Sequence, residues 1–230
     1  MPRRPPGGPS PRVRSFPFPY SGFRSLLKPS QTPSDLRTEK AALRARFRAY
    51  RAALDPRTHV ALSRAITERL TQLPVLDRAR VIHVFWPHVE RREVDLRPLI
   101  RSLAAADKQI VLPVVVTPDR NGDARPRLRH VRFTGEAALT PNRWGIHEPS
   151  GGESVPPERL DLVIVPALGA GRNGHRLGYG GGYYDAFLAG LDIPTICPVY
   201  DACLVDQVPA EAHDVPVRLI VTEKEVITVP

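Results

Sequence analysis

The sequence predicts an α/β fold: a three-layer sandwich with a largely parallel central sheet. Three observations carry that expectation. Apolar runs of strand length recur at residues 81–86, 109–114, 162–168, 195–200 and 217–222, and segments with helical spacing of their apolar residues alternate with them. Such alternation is how parallel strands joined by helical crossovers read in a sequence. Two consecutive amphipathic segments precede the first run and form a helical hairpin, and the run at 162–168 leads into a glycine-dense loop followed by a short helix.

Taken in order, Thr32-Pro33-Ser34-Asp35 offers a capping hydroxyl, a proline for the first helical position and an acid for the first turn, which together start a helix. Leu36, Leu43, Phe47, Tyr50 and Leu54 give that helix an apolar face, and Lys40, Arg44, Arg48 and Arg51 fall opposite. Lys40 and Arg44 are one turn apart and project together, either as part of a solvated basic face or as a pair reaching for phosphate. Asp55-Pro56 ends this helix and caps the next, whose face is Val60, Ile66, Leu70 and Leu73 before Pro74 closes it. The strand at 81–86 runs into a polar loop, 87–95, at the strand's carboxyl end, where open α/β sheets bind ligands. A helix from Asp95 to about Lys108 turns Leu99, Ile100 and Leu103 inward.

The strand at 109–114 comes next, then a polar, turn-rich stretch at 117–127, and residues 128–133 alternate like a half-exposed strand. Asn142-Arg143-Trp144-Gly145-Ile146-His147-Glu148-Pro149 sets a tryptophan beside a glycine in a polar loop. That aromatic either seals the core edge or stacks on a flat ligand. Past the glycine loop, the strands at 195–200 and 217–222 flank a segment containing Glu211-Ala212-His213-Asp214, which alone reads only as a turn. The carboxyl edge of the sheet therefore gathers the loops at 87–95, 142–149 and 169–183, and a site belongs there.

The stretch Arg176-Leu177-Gly178-Tyr179-Gly180-Gly181-Gly182-Tyr183-Tyr184-Asp185 packs four glycines, three tyrosines, a guanidinium and a carboxylate into ten positions. Glycines let backbone N–H groups approach an anion, and a helix N-terminus directs partial positive charge the same way. No Gly-Lys-Ser/Thr follows, and the spacing is not the dinucleotide fingerprint. A flexible turn would account for the glycines alone. Arg176, able to grip a phosphate with two donors, and Asp185, able to hold the magnesium that accompanies a nucleotide, favour an anion cradle.

At 230 residues, with 42% apolar and 25% charged, the chain is expected to form one globular domain, residues 35–230, soluble and cytoplasmic. It has no apolar run of about 18 residues to span a membrane and no secretory signal at its N-terminus. Of the formal charge of +9, six come from Arg3, Arg4, Arg12, Arg14, Arg24 and Lys28, and residues 1–34 hold no acid. That proline- and arginine-rich extension reads as disordered; a start codon placed too far upstream would look the same, and its prolines argue against an organellar transit peptide. Nucleic acid is therefore not expected as a partner, although a basic-tail nucleic-acid binder is the alternative from a different class. Cys197 and Cys203 lack metal or redox spacing and read as reduced structural thiols.

The residues resemble one family, the 5-formyltetrahydrofolate cyclo-ligases, also called 5,10-methenyltetrahydrofolate synthetases, from about Lys40 to Thr222. The likeness rests on Lys40-x-x-Leu43-Arg44, Glu93-Val94-Asp95, Asn142-x-x-Gly145-Ile146-x-Glu148-Pro149, the glycine stretch through Asp185, His213-Asp214 and Val221-Thr222-Glu223. The glycine stretch is highly specific, and the others gain weight from their order. The resemblance implies a NagB/RpiA/CoA-transferase-like architecture, a monomer, and ATP- and Mg2+-dependent cyclisation of 5-formyltetrahydrofolate, with or without a polyglutamate tail, through a phosphorylated formyl intermediate. It also implies roles. Lys40, Arg44, Arg176 and the loop Leu177, Gly178, Tyr179, Gly180, Gly181, Gly182, Tyr183 and Tyr184 would bind ATP. Arg176, Tyr183 and Asp185 would be catalytic, and Asp185 and Asp214 would hold magnesium. His88, Asp95, Trp144, Tyr179, Gly180, Gly182 and Tyr183 would contact the folate. The chain departs from the family at Ala170-Gly171, where relatives commonly have Phe-Asp, at Gly181, where some have Lys, and at Leu96, where many have Thr. The alternative within the fold is a folate or nucleotide binder without turnover.

Overall fold

A computed structural model describes residues 33–116 and 127–230. The expected cap at Thr32 and the extension up to residue 32 lie outside them, as does most of the turn-rich stretch at 117–127. In chain order the elements are α1 (Pro33–Ala53), α2 (Pro56–Thr71), α3 (Pro74–Arg78), β1 (Val81–His83), α4 (Arg97–Ala105), β2 (Gln109–Val116), β3 (Arg127–Arg132), β4 (Leu139–Pro141) and β5 (His147–Pro149). There follow β6 (Leu162–Ile164), β7 (Gly169–Gly171), β8 (Arg176–Leu177), α5 (Tyr183–Leu188), β9 (Thr195–Pro198), β10 (Leu204–Val205), β11 (Leu219–Val221) and β12 (Val226–Thr228). Among the described residues, no helix is long and apolar enough to cross a membrane.

The central sheet has the order β12-β11-β9-β6-β1-β2-β3. Its five inner strands are parallel, and only the edges, β12 on β11 and β3 on β2, are antiparallel. β1 and β6 lie side by side, with later strands added outward from each in opposite directions. The topology therefore switches between them, and at such a point the loops leave the carboxyl ends on opposite faces and open a crevice. Two small sheets, β10-β7-β8 and β4-β5, flank it.

The helices follow the sequence with specific exceptions. Asp55 caps α2 by accepting from the N–H groups of Arg57 and Thr58 at 2.9 and 3.0 Å, but the buried face of α2 is His59, Ser63, Ile66 and Leu70, and Val60 is 62% exposed. Two polar residues on the inward face escape a search for apolar periodicity. Both have partners on the chain entering α4: His59 Nε2 meets the Glu93 carbonyl at 2.7 Å, and the Asp95 N–H donates to Ser63 Oγ at 3.0 Å. On α1, Lys40 and Arg51 are buried, so the supposed opposite face is solvated only in part. α4 is shorter than expected because Asp95 stands just before it, accepting from the Arg97 N–H at 3.1 Å.

Both cysteines are buried and free, and burial pushes their thiols up to about 12 for Cys197 and about 11 for Cys203. They are protonated core residues. Close packing beside one of them sets up a stability prediction. A Cβ on Gly169 would lie 2.4 Å from the Cys203 carbonyl oxygen and 2.4 Å from the Phe47 ring. Gly169→Ala is expected to destabilise the fold by about 2–3 kcal/mol, since backbone cannot yield as a side-chain tip can, and to lower Tm by roughly 5–10 °C. A melting curve within a degree of the parent's would refute that packing.

Candidate active site

A cavity of about 630 Å3 opens at the switch point. Phe85 and Trp86, just past β1, and Pro166 and Ala167, just past β6, form its base. One wall is the α1 stripe Arg37, Lys40 and Arg44; the others are Arg91 and Glu93, the 142–149 loop, and the glycine stretch from Arg176 to Asp185 with Glu211, His213 and Asp214. The expected gathering of loops at the carboxyl edge is thus observed.

The glycine stretch is built differently from a bare strand-loop-helix. Residues 169–177, expected as loop, contain the hairpin of β7 and β8, which presents Arg176 and leaves only Gly178 to Gly182 irregular. Gly180 and Gly182 have φ of 102° and 69°, conformations that a side chain strains. Arg44 Nε donates to the Gly178 carbonyl at 3.0 Å, which ties α1 to the loop. α5 is six residues long, so its dipole is small and anion binding here rests on loop amides and guanidinium groups. A Cβ on Gly181 would stand 2.8 Å from the Tyr183 ring, so glycine lets that ring lie close over the loop. Behind α5, Phe187 packs on His130 and His83 with centroids 4.1 and 5.0 Å apart, and Tyr184 sits edge-on to His83 at 5.9 Å. Burial drives His83 well below its usual value and His130 down to about 4. These are neutral core rings that seat the helix.

The charged residues are largely paired with one another. Lys40, 6% exposed, donates to Asp214 Oδ2 at 2.6 Å and Glu211 Oε2 at 2.8 Å. Burial opposes its charge, but the two carboxylates prevail and raise its pKa. Burial likewise works against ionised Asp214, and Lys40 with the Glu211 N–H holds it below the usual range. Arg176 donates through Nη2 to Asp185 Oδ1 at 2.9 Å and through Nη1 to the Val215 carbonyl, and the Val215 N–H returns to Asp185 Oδ1 at 3.1 Å. Arg176 thus braces α5 against the 211–215 segment. The ligand atoms of Glu211, His213 and Asp214 lie within 4.8 Å of one another; of the three only the two carboxylates, both now paired with Lys40, are the oxygen donors that a hard cation takes. Asp185 stands outside that trio, and among the described residues its Oδ2 has no partner.

The Asn142 motif folds its own loop. Asn142 Oδ1 accepts from the N–H groups of Trp144 and Ile146 at 2.9 and 3.1 Å, its Nδ2 donates to buried Glu148 at 2.7 Å, and Gly145 takes φ 77°. This presents Trp144, 36% exposed, to the cavity, with Arg143 stacked 4.0 Å over its ring. The aromatic lines the cavity rather than sealing the core. His88 lies beside it in an adjoining cavity of about 690 Å3 that shares Trp86. Asp95 lies in neither cavity lining: its carboxylate holds the Arg97 guanidinium at 2.8 and 2.7 Å. Of the two acids in Glu93-Val94-Asp95, the one that lines the cavity is Glu93, not the Asp95 to which the resemblance points. Glu93 Oε1 accepts from the Tyr179 hydroxyl at 3.2 Å and its Oε2 from the His88 N–H at 2.8 Å. Glu211 lines the cavity as well. The signal for Glu93 was its distance from a helix start, since the acid nearer the helix is the one its N-terminus claims.

At Ala170-Gly171 the turn is tightly packed. Asn173 Oδ1 stands 2.2 Å from where a Cβ on Gly171 would be, and Asn173 exchanges hydrogen bonds with the backbone of Val208 at 3.1 and 3.3 Å. A side chain two positions on braces the turn.

The sequence profile of the 5-formyltetrahydrofolate cyclo-ligase family matches residues 36–223. The 5-formyltetrahydrofolate cyclo-ligase of Escherichia coli K12 is 32% identical over 185 residues, covering 78% of this chain and 98% of that one. The mouse enzyme of the same name is 26% identical, covering 80% and 93%. Among solved structures, Aquifex aeolicus 5,10-methenyltetrahydrofolate synthetase superposes with a TM-score of 0.69 at 30% identity, over 83% of this chain and 92% of its own. Fold, motif order and match over nearly the whole described chain agree: this protein belongs to the 5-formyltetrahydrofolate cyclo-ligase family.

Proposed function

We propose that the protein closes 5-formyltetrahydrofolate to 5,10-methenyltetrahydrofolate, consuming ATP and releasing ADP and phosphate. The observation that supports this most directly is that one cavity is lined together by a glycine loop, the cations Lys40, Arg44 and Arg176, the aromatic Trp144 and the carboxylate Glu93. Lys40, Arg44 and the amides of residues 177–184 suit the nucleotide. Trp144 suits a flat ring, and Glu93, in the part first assigned to Asp95, suits the N–H-rich edge of a pterin. His88 borders this half from the adjoining cavity.

A formyl oxygen is a poor leaving group. Its attack on the γ-phosphate breaks the bond to ADP and gives an imidate phosphate; N10 then bonds to the activated carbon, phosphate departs with the former formyl oxygen, and the N10 proton is lost to that phosphate or to solvent. Positioning and charge stabilisation supply most of such catalysis. Arg176, held flat by Asp185 and Val215, faces the cavity with its charge preoriented, and Tyr183 closes over the loop. Asp214 and Glu211 would hold magnesium, which would neutralise phosphate charge there; Asp185, outside that cluster, offers its Oδ2 to the same cavity. Lys40, now seated on Asp214 and Glu211, would turn to the phosphates.

The test is absorbance at the methenyl-folate band after mixing protein with 5-formyltetrahydrofolate, ATP and Mg2+. A rise that requires both ATP and Mg2+ is the expected result. No rise from folded protein would favour a binder without turnover.

A further inference from the structure

α1 carries a stripe at helical spacing, Lys40, Arg44, Phe47 and Arg51, directed toward the cavity side. Lys40 and Arg44 line the cavity, whereas Arg51 lies behind the wall at 3% exposure. Its Nη2 donates to the carbonyl of Ala167, and its Nη1 stands 3.9 Å from Glu93 Oε1. Both of those residues face the cavity. Nε and Nη1 have no hydrogen-bond partner among the described residues. Burying a guanidinium so incompletely paired is costly, and an apolar side chain of similar volume generally serves stability as well or better. Core packing therefore does not account for a cation here.

We propose that Arg51 is a positioning residue for the folate half of the site: its charge fixes the Glu93 carboxylate at the cavity wall. This rests on the cyclo-ligase reading. Glu93 Oε1 accepts from the Tyr179 hydroxyl of the glycine loop at 3.2 Å. The His88 N–H holds Oε2 at 2.8 Å, and a substrate N–H would share Oε1 with Tyr179 or displace it; Arg51, behind the wall, supplies the charge that keeps Oε1 turned to the cavity in either case.

The chain has two tryptophans, Trp86 and Trp144, and both line the cavity, so quenching of their fluorescence by 5-formyltetrahydrofolate reports binding without turnover. Arg51→Met in the full chain is expected to weaken that Kd about tenfold or more, as loss of one partner from a buried charge pair does. Arg51→Lys, a point charge with no fork to reach both Ala167 and Glu93, should lose about threefold. The Kd for ATP should stay unchanged in both. In a Glu93→Gln background, Arg51→Met should add little further loss, because the two residues act as a unit. An unchanged folate Kd, losses that multiply, or folate and ATP affinities falling together would each overturn the proposal. Should Arg51→Met fail to melt cooperatively, Arg51→Lys alone and with Glu93→Gln supports the same comparison. A wild-type chain not quenched by 5-formyltetrahydrofolate would instead fault the cyclo-ligase reading itself, and this proposal with it.

Discussion

Asp185→Asn should lower kcat by about two to three orders of magnitude while the chain stays folded. Asn keeps the shape and can still accept from the Val215 N–H, the 3.1 Å bond that joins α5 to the 211–215 segment. What it loses is the negative charge facing Arg176 at 2.9 Å. The Arg176 side chain is 5% exposed, so its charge would be left without a counter-ion and free to turn from its preoriented position. Under the proposed mechanism, the same substitution removes a donor from the side of the cavity where phosphate charge develops. Steady-state kinetics on purified variant and parent, with matched melting curves, decide the matter. Turnover within about threefold of the parent would remove Asp185 from the machinery.

The second large effect is expected at Lys40. Lys40→Met should reduce kcat/KM for ATP by about a hundredfold, chiefly through KM, because one of few cavity cations is gone and Glu211 and Asp214 are left facing each other uncompensated. The ion triplet also has a pH signature. The folded pKa of Lys40 lies above its ordinary 10.5, so its contribution to stability is whole below that value and is lost only as pH rises through the raised one. Asp214 is held below its ordinary 3.8, so its contribution is present above that value and is lost as pH falls through the lowered one. The Tm deficit of Lys40→Met should therefore be constant between about pH 5 and 9. A deficit that varies across this range, or an unchanged KM for ATP, would count against the assignment.

Much of this architecture was legible before any coordinates. Parallel strands buried on both faces are continuous apolar runs, and β1, β2, β6, β9 and β11 announce themselves that way. Asp55-Pro56 is a cap because its chemistry is local, and Gly180 and Gly182 mark a loop that only glycine forms without strain. The Asn142 motif folds its turn from residues within six positions of one another. The hairpin of β7 and β8 was hidden because its strands are three and two residues long, too short for any periodicity.

The sequence by itself determined the order and type of the main elements, the glycine loop and the family, because each follows from spacing, turn chemistry or motif within a short stretch; that Trp144 lines the cavity was left to the fold. Tertiary structure decided the partners. Lys40 meets Asp214 across 174 positions and Arg51 meets Ala167 across 116, and no local pattern tells a solvated basic face from one folded inward. It also decided which of two neighbouring acids serves the site: the start of α4 claims Asp95, and the turn before it delivers Glu93 to the cavity. A charge takes its role from what the fold brings within a few ångströms of it, and that distance is not written along the chain.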